Sequence, residues 1–238
     1  MSASSQIKAV KANLARMGQK VLLVEGLDDW HAFSHLIHES TGAFPSYELG
    51  HCDNDDGVLD ILSGMTETST KTQSVLGAVL DADQSKKDET GDEGIQSRIR
   101  SLQGRLGKFY AIPAKFPDEG LILAPTEEVD RDRLPVLGIW LMPDNVRDGI
   151  FEDLLRVAMA PKSEKYISGV VDQATKDGMT GFREVERPKA IVKTHIAWQD
   201  PNKKNLGEAI SAHFDNLIPA CRSFLDWLER LFNESAQQ

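Results

Sequence analysis

Cysteine is nearly absent from this chain: Cys52 and Cys221 are the only two in 238 residues. They are too few and too far apart for a disulfide framework or a zinc ribbon, and they imply a reducing compartment. No apolar run approaches 18 residues, so no membrane-spanning helix is expected. Met1–Gln19 is polar and mildly basic and lacks the apolar core of a signal peptide, so a cytoplasmic protein is expected. There is no phosphate-binding P-loop and no GxGxxG stretch, which argues against ATP hydrolysis and dinucleotide chemistry. Internal repeats, coiled-coil heptads and low-complexity tracts are missing as well.

Positive charge is also in deficit. The formal net charge is −10, which excludes a chain-wide nucleic-acid-binding surface. The deficit is uneven, because Pro161–Lys204 carries nine Lys and Arg against six Asp and Glu. That segment stands at +3 and leaves −13 for the remainder. Its basic residues either hold phosphates or are solvated helix faces.

What the chain does have is ordinary globular composition, 40% hydrophobic and 27% charged, and two apolar runs that end in acids. Val75–Gln84 (VLGAVLDADQ) reads as a strand buried on both faces of a parallel sheet, with Asp81 and Asp83 at its end. Alternation along a strand points both acids to one side. Lys20–Gly26 (KVLLVEG) repeats the design and delivers Glu25, with Gly26 making the turn. Ligands gather at the carboxyl ends of strands in open α/β sheets. Two carboxylates about 4 Å apart repel by roughly 4 kcal/mol at an effective dielectric near 20. Such a cluster holds protons or binds a cation. Carboxylate oxygens suit hard cations such as Mg2+ or Mn2+.

Around these runs the pattern alternates. A helix is expected over Gln6–Met17, and a second follows Gly26 with Trp30, Phe33, Leu36 and Ile37 at helical spacing. His31 and His35, four apart on it, are either a metal-gripping pair or half-packed helix residues. Tyr47–His51 reads as a strand. The acidic turn Cys52–Gly57 caps the helix Val58–Met65 better than it fits a calcium loop, since the twelfth position is Gly64. Further strands are expected at Phe109–Pro113, Leu121–Pro125 and Leu134–Met142, with helices over Ile95–Leu106 and Ile150–Met159. From Glu164 onward the pattern is helical: Tyr166–Lys176, Lys189–Trp198, Leu206–Leu217 and Arg222–Phe232. The fold class is therefore α/β, a mostly parallel central sheet flanked by helices, with a helical C-terminal region. Residues 1–160 form the α/β domain, and residues 161–238 a helical extension packed on it.

A strand ending in Glu-Gly, a helix, and a later strand ending in Asp-x-Asp resemble the Toprim domain of topoisomerases, primases and several nucleases. The carriers are VLLVEGLDDWHAF and VLGAVLDADQ. A third stretch, Gly138–Leu155 (GIWLMPDNVRDGIFEDLL), resembles a bacterial Toprim-like family near the overcoming-lysogenisation-defect nucleases. The resemblance implies a Toprim-like fold and a Mg2+- or Mn2+-dependent nuclease of DNA or RNA, with a place in phage defence. Under it, Glu25, Asp81 and Asp83 are the metal-binding and catalytic carboxylates, and Glu25 is a general acid or base. Asp144 and Glu152, from the third stretch, contact a second ion, unless Asp144 and Asn145 only shape a turn. Lys189 and Lys193, four apart on one helix, are candidates to hold substrate phosphate, and Lys193 is the catalytic lysine candidate. Two other readings stay open. One is a non-catalytic interaction subunit working with an ATPase partner. The other is a haloacid-dehalogenase-like phosphatase with Asp81 as nucleophile and Asp83 as acid/base. A topoisomerase is disfavoured, since none of Tyr47, Tyr110 and Tyr166 is marked out as a nucleophile.

Overall fold

A computed structural model describes residues 11–42, 45–68, 70–82, 93–199, 202, 206–214 and 217–234. Strands β1 (Lys20–Val24), β2 (Glu48–His51), β3 (Val75–Asp81), β4 (Leu121–Leu123) and β5 (Val136–Met142) form one sheet in the order β2-β1-β3-β5-β4. The first four positions in that order are parallel, and β4 runs antiparallel along the far edge. Helices α1 (Leu27–Thr41), α2 (Asp55–Glu67), α3 (Gly94–Leu106), the short α4 (Glu128–Arg131) and α5 (Phe151–Ala158) connect the strands or follow them. Then come α6 (Pro161–Lys176), α7 (Arg187–Gln199), α8 (Leu206–His213), α9 (Leu217–Ala220) and α10 (Arg222–Glu229), which runs into a π turn at Arg230–Glu234. Among the described residues no helix is long and apolar enough to cross a membrane.

Side-chain alternation divides the sheet between two cores. Val21, Leu23, Leu76, Ala78, Leu80, Ile139 and Leu141 face α2 and α3. Leu22, Val24, Val75, Val79, Trp140 and Met142 face α1, α5 and the C-terminal helices. Residues 161–234 therefore share a core with the sheet rather than keeping one of their own. This explains why β3 and β5 read as continuous apolar runs with no polar face.

Two glycines make the second face possible. A Cβ at Gly138 would lie 2.3 Å from Leu231 Cδ2, and one at Gly77 would lie 2.8 Å from Leu22 Cδ1 and 3.0 Å from Leu231 Cδ2. The bare backbone lets the last helical turn lie flat on the middle strands, and beside it Trp227 Nε1 donates to Leu121 O of the edge strand β4 at 3.2 Å. Gly138→Ala should therefore destabilise the fold by about 1–3 kcal/mol through overpacking. A urea midpoint equal to the parent's would refute this close packing.

Three expectations are corrected. Residues 6–10 of the expected first helix lie outside the described residues, and the rest of it is not an α-helix. Lys11 bridges His51 in parallel, Ala12 N donates to His51 O at 2.8 Å, and only Leu14–Arg16 coils, as a 3-10 turn. The open hydrogen-bonding edge of β2 outcompetes helical spacing there. Phe109–Pro113 forms no strand: Tyr110 and Ile112 are buried, and Tyr110 Oη donates to Pro135 O at 2.9 Å. Its strand-like composition serves the core below the sheet. Leu206–Leu217 breaks after His213, separating α8 from α9.

Candidate active site

The strand order places a topological switch point between β1 and β3. From β1 the chain crosses to β2 on one side and then returns to β3 on the other. The crevice outside the carboxyl ends of such strands is where α/β sheets bind ligands. Glu25 follows β1 and Asp81 closes β3, so both arrive there.

They are joined directly. Asp81 N donates to Glu25 Oε1 at 2.8 Å. Asp81 Oδ1 in turn accepts from Phe151 N at 3.0 Å, at the start of α5. Gly26 N donates to Asp29 Oδ2 at 2.9 Å, which brings a third carboxylate to the same edge. Arg98, on the buried face of α3, donates through Nε to Asp81 O at 3.1 Å and through Nη2 to Asp55 Oδ2 at 3.0 Å. Arg98 and Asp55 are both buried, so this ion pair sits beneath the floor of the site. Asn54 accepts from Gly57 N at 2.7 Å and caps α2, which fixes Asp55 in that helix's first turn.

Electrostatics follow from this crowding. Burial pushes Glu25 up to about 7, against the pull of Arg98 and the Asp81 N–H, and Asp55 and Asp29 raise it further. Asp81 is raised well above the usual carboxylate range by burial first, then by Glu25, Asp29 and Glu152. Burial likewise takes Glu152 to about 7, and Lys189 and Lys193 oppose it. Asp29 is raised by burial, partly countered by its bond to Gly26 N and by Lys189. Burial would lower Lys189, but Glu152, Asp81, Asp29 and Glu25 together raise it. Lys189 is thus the ammonium shared by four acids. The acids outnumber the bases, so the cluster carries surplus negative charge whenever it is fully ionised.

A cavity of about 130 Å3 opens on this group, lined by Glu25, Asp55, Asp81, Arg98, Arg183 and Lys189. A wider cleft of about 430 Å3 lies beyond α5, where Arg156 pairs with both Asp153 and Glu164 and Arg147 pairs with Asp144. The smaller cavity is the one that opens on the strand-end carboxylates.

The other sequence candidates fall as follows. Asp83 lies outside the described residues. Lys193 is exposed and reaches the cluster only through its charge on Glu152. Asp144 spends both oxygens on its own turn, accepting from Val146 N, from Arg147 N at 2.9 Å and from Arg147 Nε at 2.6 Å. Asn145 is buried at φ 65° and accepts from Leu141 N at 2.8 Å, so the Pro-Asp-Asn segment is a turn at the end of β5. Asp53 pairs with Lys11 on the surface. His35 packs against Gly207 of α8, which a Cβ at that glycine would disturb at 2.5 Å.

Asp55, Asp29 and Arg98 are the members that the sequence did not single out. The only signal for Arg98 was a guanidinium on the apolar stripe of α3, beside Ile95, Ile99 and Leu102. Among the described residues, no three His, Cys, Asp or Glu side chains converge as a formed metal cage. The donor chemistry nonetheless fits a hard cation. Glu25 and Asp81 each give one oxygen to a backbone N–H, and no hydrogen bond among the described residues claims the other. No curated protein and no solved structure matches the chain. Residues 19–233 match the model of a family described as proteins of unknown function (DUF3226), and the chain belongs to that family.

Proposed function

We propose that this protein is a Mg2+- or Mn2+-dependent phosphodiesterase of nucleic acid, DNA or RNA, of the Toprim type. The observation that carries the reading is the bond between Asp81 N and Glu25 Oε1, which brings two strand-end carboxylates together at the switch point. Glu25 and Asp81 would hold the cation, joined by Asp83 on the strength of its motif, with Glu152 facing them from α5. The ion would supply charge stabilisation for the reacting phosphate and an activated water.

The chain's own residues supply the rest. Glu25, poised at about 7, can carry a proton on Oε2 at neutral pH and give it up or take it back, as a general acid or base does. Lys189 holds negative charge in the cavity and is placed to meet a phosphate oxygen. Arg98 fixes the Asp81 carbonyl and so the end of β3. The phosphatase reading leaves Glu25 without a role, although Glu25 accepts from Asp81 N at the centre of the site.

The test is cleavage by protein stripped with EDTA and reloaded with Mn2+ or Mg2+, using labelled single- and double-stranded DNA and RNA and bis(p-nitrophenyl) phosphate. Glu25→Gln should cut the rate by at least about a hundredfold, the scale of losing a general acid or base. Absence of cleavage on every substrate, together with a melting temperature indifferent to both metals, would sink the proposal.

A further inference from the structure

We infer that the antiparallel pair α6 and α7 presents a stacking platform for single-stranded nucleic acid, formed by Tyr166 and Trp198 and rimmed by lysines. This rests on the phosphodiesterase reading and names the form of its substrate. Tyr166 and Trp198 are 65% and 53% exposed, yet their ring centroids are only 6.1 Å apart. Two large aromatics left in water side by side are unusual, because burying such rings is strongly favourable. Arg187 grips Asp172 with two bonds, of 2.6 and 2.9 Å, and locks the two helices at their other end. The aromatic pair is therefore held on a rigid hairpin.

The charge around the pair selects the occupant. Lys162 lies one turn before Tyr166 on the same face of α6, and Lys165 and Lys193 are exposed nearby in sequence on these helices. No ion pair engages Lys162 or Lys165 among the described residues, whereas Lys193, about 140° round α7 from Trp198, acts on Glu152. Aromatic faces beside free ammonium groups are what a single strand needs, because each base stacks while its phosphate is neutralised. A duplex hides its base faces and cannot use the rings.

Position ties the platform to the site. Lys189 and Trp198 are nine residues apart on α7, about 14 Å along the helix axis. Nine residues also turn the helix by about half a revolution, so a strand joining the two side chains passes round α7 as well as along it, a path of roughly 20 Å, or about three to four nucleotides. The catalytic cavity, about 130 Å3, is well below the roughly 300–1,000 Å3 of pockets that enclose a drug-sized ligand. It admits a phosphodiester but not the nucleosides on either side, so bases must be held outside it.

The test uses the full chain in EDTA with a twelve-residue thymidine oligonucleotide. Trp30, Trp140 and Trp227 are at most 4% exposed, so Trp198 dominates the solvent-exposed tryptophan signal. The oligonucleotide should quench that emission, and its duplex form should not. Trp198→Phe should abolish the quenching but keep binding by fluorescence anisotropy, whereas Trp198→Ala should weaken binding roughly five- to a hundredfold. Replacing Lys162 or Lys165 by Gln should each flatten the dependence of binding on log salt by about 0.7. The inference falls if the oligonucleotide neither binds nor quenches, or if duplex and single strand behave alike. Hydrolysis of bis(p-nitrophenyl) phosphate by the parent then decides the other question. Hydrolysis without oligonucleotide binding overturns the platform and leaves the phosphodiesterase standing. Quenching without hydrolysis of any phosphodiester upholds the platform and overturns the phosphodiesterase.

Discussion

Asp81→Asn should abolish metal-dependent cleavage and at the same time stabilise the metal-free protein above pH 7. Asn keeps the Oδ1 acceptor for Phe151 N, so the strand end retains its tie to α5 while one negative charge leaves the cluster. The sign follows from linkage. Glu25 and Glu152 sit at about 7 in the fold against an ordinary 4.5, and Asp81 is raised as well. The folded state therefore holds more protons than the unfolded chain between about pH 4.5 and 7, and stability falls as pH rises through that window. For Glu25 alone the loss is about 3 kcal/mol. Removing the Asp81 charge relieves part of it, so the variant should gain about 1–3 kcal/mol at pH 8, or about 2–4 °C in melting temperature per kcal/mol. At pH 4.5 the gain should shrink, because Glu25 and Glu152 are then protonated and repel the Asp81 carboxylate little. Saturating Mn2+ should reverse the order. The parent gains about 2.7 kcal/mol at a hundred times the dissociation constant, and the variant gains little. Equal melting curves for parent and variant across pH 4.5–8, with or without metal, would show Asp81 to be a solvated surface acid. Lost cleavage with an intact metal response would identify it instead as a covalent nucleophile.

The parts of this site that were legible in the sequence are those that hydrophobic pattern can signal. A strand buried on both faces must end where polarity returns, so Lys20–Val24 and Val75–Asp81 announced Glu25 and Asp81 by their own apolar runs. Lys189 was legible as one of a pair of basic residues four apart on a helix. Asp55 was not, since it is one of three aspartates in Asp53–Asp56 and only the pitch of α2 decides which of them turns inward. Arg98 was concealed for a different reason: an arginine on an amphipathic helix usually marks the wet face, and here it is buried in an ion pair with Asp55. The Phe109–Pro113 segment misled because β-branched and aromatic residues fit a core as well as they fit a sheet. The close approach at Gly77 and Gly138 was not legible, because a glycine inside a strand does not say which element packs on it.

Arg98→Ala should be the most destabilising single change at the site, by about 3–5 kcal/mol. The guanidinium ties Asp55 to the Asp81 carbonyl across the sheet edge, and both charged partners are buried. Truncating it takes the guanidinium from a buried carboxylate, and breaking one half of such a pair costs far more than the pair contributes. The loss should therefore be largely recoverable. In Arg98→Met with Asp55→Leu both charges leave and the apolar volume is kept, so most of the stability should return. Catalysis should not return with it, because the end of β3 loses the bond that fixes the Asp81 carbonyl. Urea unfolding of the single and double variants gives a coupling energy, expected at about 2–3 kcal/mol for residues in direct contact. Strict additivity would mean that Arg98 and Asp55 act independently and that the buried ion pair is not what holds Asp81 in place. Recovery of cleavage alongside stability in the double variant would separate the two roles differently. It would leave Arg98 with a structural part only and place the positioning of Asp81 on its bonds to Glu25 and Phe151.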